Sequence, residues 1–167
     1  MKRTTLLVVG LLIAGLTVAY AGEGTEAPWF DMENCAFCKN VVAEPGLLEA
    51  MTWKNYDITS GVMTVTTVKP DHKEAYMRAH RKMEELGTKM MNGEVNPTTV
   101  KMCGHCQAYG AFMMKGVVFD YVQADFGDVV LMTSASPETV AEIRQFAKRN
   151  EEETKKMKKE MKAKKAQ

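Results

Sequence analysis

The sequence predicts an α+β domain in which a duplicated α-β-β-α unit forms one four-stranded antiparallel sheet with helices packed on it. The first observation behind this prediction is that the 4 cysteines of the chain form two C-x-x-C pairs, Cys35/Cys38 and Cys103/Cys106. The second is that each pair is followed by an apolar stretch, a glycine-centred hairpin, a run that ends in proline, and a helix. Self-similarity at a fixed spacing is the signature of a repeated structural unit.

The spacing between corresponding positions hardly changes along the chain. The corresponding positions are Cys35 and Cys103, 68 residues apart, Gly61 and Gly127, 66 apart, and Pro70 and Pro137, 67 apart. We therefore expect a single domain over residues 29–149, with repeats at about 29–92 and 93–149. Duplication also predicts that an approximate two-fold axis relates the two halves. Four hairpin strands covered by helices correspond to an α+β layer arrangement.

The first unit is expected to begin with a helix that carries the first cysteine pair. Residues 22–28 are small and polar, which indicates a flexible leader. Asp31 or Asn34 can cap a helix whose first turn holds Cys35. Pro45-Gly46 should end this helix, because proline lacks a backbone donor and glycine tolerates a left-handed turn.

A hairpin and a long helix complete the first unit. Residues 51–59 and 62–68 are predicted to be its strands, since the second run is rich in the β-branched residues that fit a pleated surface. Residues 71–91 are predicted to be a helix, because their apolar side chains recur at helical spacing.

The second unit is expected to follow the same order. Asn96 as N-cap and Pro97 at the first helical position predict a helix that contains Cys103 and Cys106 two turns inside it and ends at Gly116.

The second hairpin and the last helix come next. Residues 117–123 and 129–133 are the predicted strands, and Ser136-Pro137 opens the helix. Residues 150–167 are rich in Lys and Glu at i, i+4 spacing, which predicts a charged helical tail.

Residues 1–21 have the pattern of a secretory signal peptide. Lys2 and Arg3 precede an apolar run over residues 6–18, and Ala19-Tyr20-Ala21 is a small-x-small cleavage site. Cleavage after Ala21 would release a periplasmic or secreted protein without a stable membrane anchor. The alternative is a retained anchor, but the apolar run is shorter than the roughly 20 residues that span a bilayer.

The charge is distributed unevenly along the chain. Residues 22–147 carry 11 Lys/Arg against 17 Asp/Glu, and residues 148–167 carry 9 against 4. The acidic body should repel nucleic acid, so nucleic-acid binding is not expected. Lysine-rich tails also contact anionic polymers, although the glutamates here dilute that field. No motif identifies a protein partner.

The two cysteine pairs are first interpreted as one metal site. Cys35, Cys38, Cys103 and Cys106 can supply four thiolates to a tetrahedral ion, the arrangement that zinc favours in structural sites. Corresponding positions of a duplicated fold can meet near its symmetry axis. Copper(I) is also possible, because soft thiolate and thioether ligands select it and the chain holds 14 methionines.

Two other uses of the cysteines stay open. The tetrapeptide Cys103-Gly104-His105-Cys106 resembles the active-site sequence of protein disulfide isomerase, which implies a thiol–disulfide oxidoreductase in which Cys103 attacks and Cys106 resolves. The resemblance is confined to these four residues. Alternatively, the cysteines form structural disulfides that stabilise an exported interaction module.

Three further groups of residues are candidates for the site. His105 lies between two cysteines and is a possible ligand, whereas His80 falls on the apolar side of its helix and is expected to be packed and hydrogen-bonded. Asp120, Asp125 and Asp128 flank the second hairpin without the spacing of a calcium loop, so we expect them to serve the turns and solubility.

Overall fold

The computed structural model describes residues 27–165. The predicted signal peptide and almost all of the predicted leader lie outside the described residues. The described helices and strands follow in the order α1 (Lys39–Val42), α2 (Leu47–Ala50), β1 (Met51–Ile58), β2 (Gly61–Val68), α3 (Lys73–Met91), α4 (Gly104–Met114), β3 (Val118–Ala124), β4 (Gly127–Thr133) and α5 (Pro137–Lys165).

The four strands form one antiparallel sheet in the order β1-β2-β4-β3, which confirms the predicted α+β class. The two hairpins meet through β2 and β4, where Gly61 pairs with Thr133 and Thr67 pairs with Gly127. Corresponding residues of the two hairpins are 66 positions apart. Replacing each residue by its counterpart in the other hairpin therefore gives the same set of pairs between β2 and β4. A symmetric register is what duplication predicts, and a common origin of the two halves stays a prediction.

Glycine is required where the two central strands approach each other most closely. A Cβ atom at Gly61 would collide with the carbonyl oxygen of Met132, and one at Gly127 would collide with that of Thr66. Both obstacles are backbone atoms, so any larger residue would force β2 and β4 apart.

The side chains that alternate towards one face of the sheet meet the long helices and build two apolar clusters. The larger cluster joins β2 and β4 to α4 and α5, and its fully buried members include Val62 and Ile143. The smaller cluster joins α2 and β1 to α3 and contains Leu47, Met51 and Tyr76. The core therefore lies between this face and the helices, and the cysteine pairs lie at the N-terminal ends of α1 and α4.

The helices that carry the cysteines begin later than the sequence predicts. Cys35 lies in a turn, and Cys38 is the N-cap of α1. Pro97 opens only a 3-10 helix over residues 97–99, and α4 begins at Gly104 with Cys103 as its N-cap. The prediction that the second pair lies two turns inside a helix is therefore wrong, because the chain breaks after one short turn.

The last helix, α5, extends without interruption through the Lys/Glu-rich segment. It runs from Pro137 to Lys165, so the charged helical tail is present as the continuation of a core helix. Asn150, at the predicted start of the tail, is buried. Within residues 27–165 no helix is both long and apolar enough to cross a membrane.

Candidate metal centre

The first cysteine pair is held in a tight turn ahead of α1. The amide of Cys35 donates to the carbonyl of Asp31 at 3.0 Å, and the amide of Lys39 donates to the carbonyl of Cys35 at 3.0 Å. The Asp31 side chain accepts from the backbone and side chain of Asn34, and these hydrogen bonds lower the pKa of its carboxyl. The turn is therefore fixed by its own hydrogen bonds before any ion binds.

The second pair lies at the N-terminus of α4, against the segment that enters the domain. The amides of Gly104 and His105 donate to the carbonyls of Pro28 and Trp29 at 3.0 and 2.9 Å. A Cβ atom at Gly104 would lie only 3.2 Å from the Trp29 ring. Glycine at this position therefore allows the entering segment to pack against the helix.

A backbone hydrogen bond joins the two cysteine segments directly. The amide of Ala36, between the first two cysteines, donates to the carbonyl of Lys101 at 2.9 Å. Lys101 Nζ also lies 3.7 Å from Asp31 Oδ2. The two pairs, 65 residues apart in sequence at their nearest cysteines, are thus brought together by the chain itself.

The four sulfur atoms form a compact cluster. All four Sγ atoms lie within 4.8 Å of one another. The Cys35–Cys106 and Cys38–Cys103 separations are 3.6 Å, and the Cys38–Cys106 separation is 3.7 Å. A tetrahedral ion with metal–sulfur bonds of about 2.3 Å has sulfur–sulfur edges of about 3.8 Å. The observed edges therefore fit one tetrahedral ion, and the prediction that the two pairs meet is confirmed.

The same distances distinguish the cluster from disulfides. A disulfide requires sulfur atoms about 2.05 Å apart, whereas the measured separations are 3.6 Å or more, and all four cysteines are free thiols in the structure. Contacts of 3.6–3.7 Å run between the two pairs, from Cys35 to Cys106 and from Cys38 to both Cys103 and Cys106.

The neighbouring thiols change one another's proton affinity. The contact with Cys103 is the largest cause of three shifts: it lowers the pKa of Cys35 and raises the pKa of Cys38 and of Cys106. The contact with Cys106 lowers the pKa of Cys103 to about 6. Four adjacent sulfurs therefore cannot all be thiolates by themselves, and a cation bound among them would supply the positive charge that allows it.

His105 packs into an aromatic pocket. Its ring stacks on Phe146 with centroids 5.2 Å apart and also contacts Trp29, Phe30 and Tyr109. Burial lowers the pKa of His105, so the imidazole stays neutral at neutral pH. The histidine is therefore a packing residue beside the cluster and lies outside the group of four clustered cysteines.

Asn150 organises this pocket, a role that local sequence patterns do not predict. Its Oδ1 lies 2.8 Å from Trp29 Nε1, which donates to it, and 2.9 Å from His105 Nδ1. The Arg149 guanidinium lies 3.9 Å above the Trp29 ring. The one local sign of this role is that Asn150 is uncharged at the edge of the Lys/Glu-rich segment. α5 thereby fixes both the entering segment and the start of α4.

The other predicted candidates lie apart from the sulfurs. His80 Nε2 contacts Asp128 Oδ2 at 3.3 Å, which confirms that His80 is packed and hydrogen-bonded. Asp128 is buried and also accepts from Tyr76, so its expected surface role is wrong. Asp120 and Asp125 stay exposed, and these aspartates form no metal-type cluster among residues 27–165.

The chain matches no family model, no curated protein and no solved structure in the comparisons made. Its own geometry therefore carries the functional argument.

Proposed function

We propose that the protein is a small exported metal-binding module that holds one zinc ion through Cys35, Cys38, Cys103 and Cys106. The observation that carries the proposal is the sulfur cluster, whose 3.6–3.7 Å contacts match the edges of a tetrahedral thiolate site. Tetrahedral sites made of four sulfurs favour zinc or iron over harder ions. Export rests on the sequence pattern of residues 1–21.

The proposed ion has a structural role. Catalytic zinc sites keep one position open for water or substrate, whereas four protein thiolates complete the tetrahedron. Cys35 and Cys103 are 0% and 1% exposed, so solvent does not reach the cluster from their side. The module therefore has no place at the ion for a hydrolytic water.

Bound zinc would connect parts of the chain that are distant in sequence. The turn around Cys35 reaches the core mainly through short helices, whereas α4 packs on the larger apolar cluster. One ion bound by both pairs joins these regions and fixes the residues that enter the domain. Because the domain also has its own apolar core, metal loss should weaken the fold rather than prevent it.

Thiol–disulfide exchange is the second candidate function, favoured by the position of Cys103 at the N-terminus of α4. A helix N-terminus stabilises a thiolate. However, an attacking sulfur must be reachable, and Cys103 is 1% exposed. No strand leads into the pair, in contrast to the thioredoxin-like arrangement. Zinc binding therefore accounts for more of the geometry.

Metal analysis of protein purified from its native compartment tests the proposal. We expect about one zinc per chain, with thiols that react fully only after a chelator removes the ion. Cys35→Ser and Cys103→Ser should each lower the zinc content at least about tenfold and destabilise the fold by about 3 kcal/mol or more. The matched control is Ala36→Ser, which places a hydroxyl between the first two cysteines and should retain the metal.

Each other result points to a different function. Iron or copper at one per chain would correct the identity of the ion. Metal-free protein with a readily reduced, strongly oxidising pair would favour exchange chemistry, and metal-free protein with reduction-resistant bridges would favour structural disulfides. Either metal-free result contradicts the zinc proposal.

A further inference from the structure

One face of the sheet carries apolar side chains that no part of the described core covers. Strand alternation directs these side chains away from α3 and α5, and neither apolar cluster includes them. The larger apolar members of this open face are Tyr56, Ile58, Met63, Val65, Val118, Val122, Val129 and Leu131. Tyr56 is 47% exposed, and Val118 and Val122 are each 54% exposed.

This pattern departs from that of a sheet with one solvated face. Such sheets alternate apolar residues inward with polar residues outward. On the open face the central strands β2 and β4 instead present Met63 and Val65 beside Leu131 and Val129. Folding of the single chain does not require these residues to be apolar, because the opposite face supplies the core. Contiguous exposed apolar patches mark interaction sites.

The charges of the open face are arranged to complement a second copy. Its only charged residues are Lys54, on the edge strand β1, and Asp120, on the opposite edge strand β3. Neither forms an ion pair with another residue of the described part of the chain. A two-fold axis parallel to the strands would lay β1 of one copy over β3 of the other.

In that arrangement each Lys54 meets the Asp120 of the other copy. Lys54 pairs with Val65, which pairs with Val129 on β4, whereas Asp120 pairs with Leu131 on β4. The positions of Lys54 and Asp120 along the strand direction therefore differ by two residues. Such a step is about 7 Å, which a lysine side chain can bridge. A two-fold interface would form this ion pair twice.

We infer that two copies of this chain associate face to face through their open sheet faces. Four strands about 4.8 Å apart and seven residues long cover a footprint of about 450 Å² on each copy. Face-to-face packing would then bury about 1,000 Å² in total, which is at the lower limit for a specific interface. Interfaces at this lower limit are typical of weak, transient complexes, so we expect dissociation in about the micromolar range. The inference does not depend on the identity of the metal.

Sedimentation analysis tests the dimer. The protein is purified as it accumulates in cells, its N-terminus is determined by mass spectrometry, and it is studied from about 1 to about 100 µM to span the expected dissociation constant. Lys54→Glu and Asp120→Lys should each weaken the dimer about tenfold by placing like charges together. The double variant should restore the affinity to within about threefold, because it exchanges the two charges.

Matched charge changes on α3 serve as controls. Lys89→Glu and Glu85→Lys alter exposed residues of that helix and should leave the dimer unchanged. Unchanged circular dichroism shows that each variant is folded.

The inference is overturned if the wild type stays a monomer at the highest concentration, if neither Lys54→Glu nor Asp120→Lys weakens the dimer, or if the double variant fails to recover the affinity. A monomer that dimerises only when residues 1–21 are removed would show that this segment covers the face, and would overturn the inference for the uncleaved chain.

Discussion

The two halves of the molecule attach their long helices to the sheet in chemically different ways. α5 packs on β2 through Val62, Ile143 and Ala147, which are all apolar and buried. At the corresponding place α3 packs on β4 through Tyr76 and Asp128, with His80 beside them. The 66- and 67-residue spacings make Val62 the counterpart of Asp128 and Ile143 the counterpart of Tyr76.

The difference shows that one backbone arrangement can be stabilised by two kinds of contact. The apolar contact gains free energy from the removal of apolar surface from water. The polar contact leaves Asp128 2% exposed, so its carboxylate depends on partners to offset lost hydration. A charged side chain in the apolar contact should therefore destabilise the fold. In the polar contact, the loss of a hydrogen-bond partner should do so.

The largest effect on stability is expected when a carboxylate is placed in the apolar contact between α5 and β2. Val62→Asp would bury a carboxylate beside Ile143 without a donor, and we expect a loss of more than about 4 kcal/mol in the free energy of unfolding. Urea denaturation measures this loss. Val42→Asp, at a position 41% exposed, is the control and should change stability by less than about 0.5 kcal/mol. A folded Val62→Asp protein within about 2 kcal/mol of wild type would contradict the proposed difference.

An intermediate effect is expected from converting the polar contact to an apolar one. Asp128→Val leaves the Tyr76 hydroxyl without its acceptor and should cost about 1–3 kcal/mol. Adding Tyr76→Phe removes the unpaired donor, so the double variant should recover at least about half of that loss. The same denaturation experiment measures both variants.

Tyr121→Phe is the control for this series. The Tyr121 hydroxyl lies 3.4 Å from Asp128 Oδ2 and is partly exposed, so we expect a change below about 0.5 kcal/mol. A double variant that is less stable than Asp128→Val alone would show that the tyrosine hydroxyl has another partner.

The smallest expected effect is a pH dependence at the polar contact. Burial raises the pKa of Asp128, but hydrogen bonds from His80 and Tyr76 outweigh it, and the pKa falls below its ordinary value of 3.8. The folded state then binds fewer protons than the unfolded state as the pH falls through this range. The stabilisation is therefore complete above about pH 5 and is lost progressively as the pH falls through 3.8 and then through the lower pKa of the folded state.

Comparison of wild type with Asp128→Asn isolates this contribution. The stability difference between the two proteins should narrow as the pH falls from about 5 to about 3, because only the wild type has this carboxylate to protonate. Chelator-treated samples remove the pH dependence of metal binding. A constant difference for Asp128→Asn would exclude the proposed proton linkage.

Much of the architecture follows from local sequence patterns. Strand alternation and β-branched residues predict both hairpins to within a few residues, and Pro70 correctly marks the approach to α3. These predictions succeed because turn chemistry and side-chain periodicity act over a few residues.

Other features depend on partners that local patterns do not reveal. Asp128 follows a turn glycine and resembles a surface residue in sequence, yet Tyr76, 52 residues away, makes its burial favourable. Asn150 lies at the edge of the charged segment, yet Trp29 and His105 both hydrogen-bond to it. The predicted helix start at Asn96 is wrong because the amides of Gly104 and His105 donate to the entering segment, and α4 begins at that point.

The amino-acid sequence by itself determined the strands, the approximate extent of α3 and the presence of two sulfur pairs, because each depends on neighbours along the chain. Tertiary structure alone decided that four sulfurs lie within 4.8 Å of one another, that Asp128 is buried, and that no part of the apolar core within residues 27–165 covers one face of the sheet. These properties arise from contacts between residues far apart in sequence, whose geometry is set only when the two hairpins pair and the helices pack.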